Sequence, residues 1–152
     1  GTGLNGKEFN ITKLRTMKVQ SELNGPVWAS KNDNRITKIG SILRKSRVDE
    51  LPQLISVLIG DMSLIGPRPE RPEIEKQFLR DIPFYKYRNI LKPGLSGWAQ
   101  VNYSYGASVF DSSQKLSYDI YYIINFSFFL DLLILFKTIK LILNLKGYKP
   151  NS

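Results

Sequence analysis

The stretch Arg44-Lys45-Ser46-Arg47-Val48-Asp49-Glu50-Leu51-Pro52-Gln53-Leu54 sets a cluster of positive charge directly ahead of an acidic pair. A helical pattern follows: Leu51, Leu54, Ile55, Leu58 and Ile59 recur at the spacing of one helix face, and Gly60 stops the run. Asp49 fits the N-cap of that helix, and Pro52 fits its first turn, where an N–H would be unpaired in any case. Both carboxylates then lie where a helix start offers free N–H groups and positive potential, with Arg44 and Arg47 adding full charges nearby. Such surroundings lower a carboxylate pKa and attract phosphate. An ionised carboxylate beside a phosphate site can act as a nucleophile or hold a metal ion. Taken alone, the pair also reads as a charged helix cap with surface salt bridges.

The 152-residue chain contains no Cys and no His. That removes thiol nucleophiles, imidazole bases, the Ser-His-Asp arrangement and Cys/His zinc sites. Chemistry is left to Asp, Glu, Lys, Arg, Tyr and Ser, with an oxygen-seeking ion such as Mg2+. A chain without Cys fits a cytoplasmic face, and fits a secreted chain without disulfides equally well. The length predicts one domain, residues 1–152, with a sizeable core. Lys and Arg number 22 against 13 Asp and Glu, a net charge of +9 that points to an anionic partner: nucleic acid, phospholipid headgroups or a nucleotide. The opening Gly1-Thr2-Gly3-Leu4-Asn5-Gly6 has neither Met nor a signal pattern, so the expectation is a fragment whose upstream part is missing.

Upstream of the acidic pair, residues 11–19 carry β-branched and apolar positions interrupted by Lys13, Arg15 and Lys18, which predicts a short strand with a basic face. Asn24-Gly25-Pro26 and residues 31–34 predict a loop. Thr37 can cap a short helix holding Ile39, Ile42 and Leu43, whose C-terminal end carries Arg44, Lys45 and Arg47; the helix dipole favours cations there in any case.

Downstream, Gly66-Pro67-Arg68-Pro69-Glu70-Arg71-Pro72 fixes the backbone around two arginines with three prolines. That rigidity suits bidentate recognition of phosphate by Arg68, although a plain connecting loop has the same composition. Pro72 opens a helix with Ile74, Phe78 and Ile82 inward, and Pro83 ends it. Tyr85, Tyr87 and Arg88 precede a turn at Pro93-Gly94, and residues 95–101 read as a short buried segment around Trp98. Core packing explains these aromatics better than stacking on nucleic acid. Ser108 and Asp111 make a capping box for a helix running through Tyr118-Asp119-Ile120-Tyr121-Tyr122 to about Ile124.

Residues 126–145 are apolar for about the length of a membrane span, yet carry Asp131, Lys137 and Lys140. On a helical wheel Asp131, Lys137, Thr138, Lys140 and Asn144 share one half with Leu133, Ile134 and Leu141. The expectation is a helix lying at a membrane interface rather than crossing it, with a buried core helix as the alternative.

Five ordered stretches carry a resemblance: Lys13-Leu14-Arg15-Thr16-Met17; Asp49-Glu50-Leu51-Pro52-Gln53-Leu54; Gly60-Asp61-Met62-Ser63-Leu64-Ile65-Gly66-Pro67-Arg68-Pro69; Lys92-Pro93-Gly94-Leu95-Ser96-Gly97-Trp98-Ala99-Gln100-Val101-Asn102-Tyr103; and Tyr118-Asp119-Ile120-Tyr121-Tyr122-Ile123. Together they resemble the bacterial sugar transferases, monotopic polyprenyl-phosphate phosphoglycosyl transferases that start exopolysaccharide and other glycoconjugate assembly. The expected architecture is a small α/β domain of the α+β type, dominated by helices, with a minor sheet and interfacial amphipathic helices.

The resemblance implies that Asp49 is a nucleophile attacking the β-phosphate of a nucleotide-diphosphate sugar, with uridine as the usual base. A sugar-phosphoryl-aspartate forms, the nucleoside monophosphate leaves, and polyprenyl (undecaprenyl) phosphate takes the phosphosugar. It also implies that Glu50 holds Mg2+ and that Arg44 and Arg68 bind phosphate. Arg15 is a further phosphate-binding candidate, and Asp119 a candidate substrate or metal contact. The implied location is the cytoplasmic face of the cell (inner) membrane. In two places the sequence departs from the family pattern. The family's hydrophobic re-entrant segment is not among residues 1–152, so the expectation is a chain that begins just after it, and Ile124 stands where many members carry a charge.

Two other classes fit the composition. A basic nucleic-acid-binding module would call for a groove-reading or RNA-binding signature, which the sequence lacks, and lipid accounts better for the apolar C-terminal helix. A catalytically inert membrane-associated subunit that kept the fold would have no use for Asp49, Glu50 and Arg68.

Overall fold

A computed structural model describes residues 1–19, 33–103, 106 and 108–144. Helix α1 (Lys38–Ser46) begins where the Thr37 hydroxyl accepts the Gly40 amide at 2.9 Å, as the sequence predicts. It stops at Arg47, whose φ of 56° is left-handed and whose amide donates back to the carbonyls of Arg44 and Leu43. This residue reverses the chain at once, so α1 runs without a linker into a 3-10 turn, Val48–Gln53, and then α2 (Leu54–Leu58). Asp49 is therefore not the N-cap expected of it. Arg47 occupies the cap position, and both acidic residues lie inside the first turn of the 3-10 segment. Gly60, at φ 91°, ends the run.

The minor sheet is a parallel pair, β1 (Ser63–Ile65) beside β2 (Gly94–Ser96), with Ser63 opposite Gly94 and Ile65 opposite Ser96. Its place differs from the expectation. Residues 11–19 form no strand, only an isolated antiparallel bridge from Met17 to Ile36. The loop expected at Asn24-Gly25-Pro26 lies outside the described residues. Glycine is required where the start of β2 meets the backbone just past β1: a Cβ on Gly94 would stand 2.1 Å from the Gly66 nitrogen.

Helix α3 (Pro72–Asp81) and the 3-10 turn Tyr85–Ile90 follow β1, and α4 (Trp98–Asn102) and α5 (Val109–Ile124) follow β2. Phe78, Ile82, Tyr85 and Leu116 form the core where α3, that turn and α5 meet, with Ile74, Val109 and Ile120 packed against them. Ser108 and Asp111 form the reciprocal capping box read from the sequence, so α5 starts and ends where expected.

Helix α6 (Phe128–Leu143) spans 16 residues, and among the described residues no helix is long and apolar enough to cross a membrane. Its polar half is the half that docks. Asp131 accepts the Tyr122 hydroxyl at 2.6 Å, Lys137 donates to Asn102 Oδ1 at 2.6 Å, and the Thr138 and Ser96 hydroxyls meet at 2.6 Å. The Lys137 ammonium also lies 4.6 Å from the centre of the Trp98 ring. With those residues facing the domain, Phe128, Phe129, Leu132, Phe136, Ile139 and Leu143 are left exposed. Helix α1, which touches α6, exposes Ile39 and Ile42, and Leu51, Ile55, Leu58 and Ile59 are exposed around α2. The helical periodicity read from these residues is real, but it marks a face turned away from the core.

Candidate active site

The acidic pair is assembled from three segments. The Leu14 amide donates to the Asp49 carbonyl at 3.0 Å, which lays the segment carrying Lys13 alongside the 3-10 turn. Two residues on, the Thr16 carbonyl accepts the Thr37 amide at 3.0 Å and crosses α1 so closely that a Cβ on Gly40 would stand 2.0 Å from it. The third segment is the proline-rich loop. Gly66 donates to Ser96 at 2.9 Å and Gly94 donates to Pro67 at 2.8 Å, so the loop is fastened to β2 immediately before Arg68.

Glu50 is the hub. Arg68 Nη2 donates to its Oε1 at 2.5 Å and Nη1 to its Oε2 at 3.4 Å, a forked contact. Lys13 Nζ lies 3.5 Å from Oε1, and Arg47 Nη1 lies 4.0 Å from Oε2. Burial alone would raise the Glu50 pKa, but Arg68, by charge and hydrogen bond, and then Lys13 and Arg47 hold the carboxyl well below the usual carboxylate range. Asp49 behaves oppositely. It forms no salt bridge among the described residues, and burial, followed by the charge of Glu50, pushes its carboxyl up against the pull of Lys13 and Arg44. The expectation of lowered carboxyls holds for Glu50 in direction, through Arg68, Lys13 and Arg47 rather than the helix start, and fails for Asp49. Asp49 does not cap the turn, and the largest charge effect on it comes from the anionic Glu50.

The structure brings Asp49, Glu50, Arg68 and Lys13 together, with Arg44 behind them, its Nε donating to the Thr16 hydroxyl at 2.8 Å. Arg15 is exposed, and no described hydrogen bond or ion pair ties it to this cluster. Lys13, which sequence reasoning passed over in favour of Arg15, is the cation of that stretch that reaches Glu50; the Leu14–Asp49 pairing that selects it leaves no mark in the sequence. Asp119 does not line the cluster. It is buried on α5, where its Oδ2 accepts Arg88 Nε at 3.1 Å and stands 3.0 Å from Arg88 Nη2. Burial pushes the Asp119 carboxyl up to about 6, with Arg88 pulling the other way. An apolar groove of about 560 Å3 lined by Phe84, Tyr87, Ile120 and Ile124 contains none of these charged groups.

The bacterial sugar transferase family model matches residues 1–145. The chain belongs to the bacterial sugar transferase family. Over 141 residues it is 52% identical to a UDP-N-acetylgalactosamine-undecaprenyl-phosphate N-acetylgalactosaminephosphotransferase of Aeromonas hydrophila, a match covering 93% of this chain and 33% of that protein. It is 39% identical over 141 residues to a UDP-glucose:undecaprenyl-phosphate glucose-1-phosphate transferase of Escherichia coli (strain K12), covering 90% of this chain and 30% of the relative. An uncharacterized sugar transferase of Bacillus subtilis (strain 168), EpsL, is 41% identical over 155 residues, covering 99% of this chain and 70% of EpsL. The chain thus spans about a third of the first two relatives and more than two thirds of the third.

Among the described residues of this sugar transferase, no three Asp, Glu, His or Cys side chains gather at a metal-sized site. Mg2+ commonly needs only one or two carboxylates when substrate phosphates and waters complete its shell. Glu50, the carboxylate expected to hold it, does not fit that role: both its oxygens face cations. Asp49 fits better, because its carboxylate forms no salt bridge among the described residues, although Lys13 and Arg44 act on it by charge.

Proposed function

We propose that this chain carries the active site of an enzyme that moves a sugar phosphate from a UDP-sugar to polyprenyl phosphate at the cytoplasmic face of the inner membrane, initiating exopolysaccharide or glycoconjugate synthesis. One observation carries the reading: two neighbouring buried carboxylates sit in opposite surroundings, Glu50 on three cations and Asp49 without a salt bridge among the described residues. Those cations hold Glu50 ionised, and burial raises the pKa of Asp49 beside them. A desolvated carboxylate of raised basicity next to fixed positive charge has the properties a nucleophile toward phosphorus needs. The undecaprenyl-phosphate acceptors named for the A. hydrophila and E. coli relatives support the acceptor assignment.

In the reaction, an Asp49 oxygen attacks the β-phosphorus and the bond from that phosphorus to the bridging oxygen breaks. The electron pair leaves on UMP. A phosphate oxygen of polyprenyl phosphate then attacks the same phosphorus, the Asp49–phosphorus bond breaks, and the carboxylate is restored. Lys13, Arg47 and Arg68 supply the positive charge against which the diphosphate is aligned, and Glu50 keeps those cations in place. Asp49 would hold Mg2+, which when bound would supply charge neutralisation on the diphosphate. Phosphoryl transfer relies on such alignment and charge more than on proton transfer, which suits a chain without His.

The exposed apolar side chains of α6, α1 and α2 support contact with the bilayer that holds the acceptor. The test is UMP release from a UDP-sugar by full-length protein with polyprenyl phosphate, membrane and Mg2+. Wild type is expected to release UMP and Asp49→Asn to release none; an Asn variant as active as wild type would refute the assignment.

A further inference from the structure

We infer that Arg88, held by Asp119 and Tyr85, is a positioning residue that sets the reach of Arg68 toward substrate phosphate by holding the Arg68 backbone carbonyl; the inference rests on the transferase reading above. Arg88 is buried at 6% exposure in the 3-10 turn Tyr85–Ile90. Its Nη2 donates to the Arg68 carbonyl at 2.6 Å, its Nη1 donates to the Tyr85 hydroxyl at 2.7 Å, and Nε and Nη2 meet Asp119 Oδ2 at 3.1 and 3.0 Å. Each nitrogen of the fork therefore has an acceptor. A buried guanidinium bonded in this way has one orientation available to it.

What that orientation fixes is the one part of the loop the prolines leave unsettled. Pro69 confines Arg68 to extended backbone and brings no N–H to the loop. Gly66 and Pro67 are fastened to β2, and the Glu70 carbonyl accepts the Thr2 amide at 2.9 Å. Between these ties, the Arg68 carbonyl is held by Arg88. The same residue sends its guanidinium to Glu50, so any change in the carbonyl tether moves the fork at the acidic pair. Asp119 thus reaches the site through Arg88 and the Arg68 backbone rather than by touching substrate or metal.

The experiment uses the full-length protein in membranes with Mg2+, following kcat/KM for UMP release and thermal unfolding in Arg88→Lys, Arg68→Lys, the double variant, and Tyr85→Phe with and without Arg68→Lys. Arg88→Lys keeps the charge but gives up the planar fork whose spread nitrogens reach Asp119, Tyr85 and the Arg68 carbonyl together. Arg88→Lys is expected to lower kcat/KM by about 10- to 100-fold, the scale of a lost charge-assisted hydrogen bond, and the double variant to be no worse than Arg68→Lys alone. Tyr85→Phe is expected to cause a smaller loss that also vanishes once Arg68 is Lys, and it carries the test if Arg88→Lys does not fold. Losses that multiply in the double variants would overturn the inference. So would an Arg88→Lys variant with unchanged kcat/KM and only a lower unfolding temperature, since that describes a merely structural ion pair. A wild type that releases no UMP would instead overturn the transferase reading beneath it.

Discussion

Arg68 points its guanidinium fork at Glu50, with Nη2 2.5 Å from Oε1 and Nη1 3.4 Å from Oε2, and so is bonded to the neighbour of Asp49 rather than to Asp49 itself. The contact separates two carboxylates adjacent in sequence. Arg68, Lys13 and Arg47 hold the Glu50 carboxyl below the usual carboxylate range, and burial pushes the Asp49 carboxyl beside them up.

The forked geometry makes Arg68 sensitive to its shape as well as its charge. Arg68→Lys is expected to lose most UMP release, by about 10-fold or more, because an ammonium cannot present two parallel donors. Arg71, exposed at the N-cap of α3, should tolerate the same change. Circular dichroism checks folding, and a paired UMP assay decides. Equal activities would make the loop plain scaffolding.

The opposed carboxyls also predict a pH effect with a definite sign. Asp49 must be ionised to attack, so kcat/KM falls on the acid side as pH drops through its raised pKa. Glu50 stays ionised there, being held below the usual range. Replacing Glu50 with Gln removes one cause that raises Asp49 and leaves Lys13 and Arg44 pulling it down. The residual activity of Glu50→Gln should therefore show its acid limb at lower pH than wild type. A limb that stays put or moves upward, read from kcat/KM against pH, would contradict this.

Much of this arrangement was legible in sequence, because local chemistry decides it. Thr37, Pro72, Ser108 with Asp111, and Gly60 each mark a helix end where the structure has one. Features that depend on distant partners were not legible. Three-residue strands such as Ser63–Ile65 and Gly94–Ser96 are too short for a period of two to show. Arg88 and Asp119 are 31 residues apart in the chain. Asp49 reads as a cap because it stands ahead of a helical pattern with Pro52 in its first turn; the left-handed Arg47 takes that position instead. Hydrophobic spacing located α6 and could not say which half faces the domain, which Tyr122, Ser96 and Asn102 decide by bonding its polar residues.

That orientation of α6 has its own consequence. Phe136, exposed at 68%, makes no contribution to the buried core, so Phe136→Glu should leave the fold intact. Burying a Phe side chain is worth about 1.5–3 kcal/mol, so co-sedimentation with anionic vesicles should weaken by about 10-fold or more. Binding by wild type should also weaken as salt rises, given the net charge of +9. Binding that ignores both the substitution and the salt would remove the bilayer from the account.

The most direct test of Asp49 as the nucleophile is to look for the bond it forms. Full-length protein incubated with a UDP-sugar and Mg2+ in the absence of polyprenyl phosphate should release about one UMP per active site, and peptide mass spectrometry after rapid quenching should find a sugar phosphate on Asp49. Adding polyprenyl phosphate should discharge it. UMP release that proceeds only when polyprenyl phosphate is present, with Asp49 unmodified throughout, would mean that the acceptor attacks the donor directly and that Asp49 is not the nucleophile.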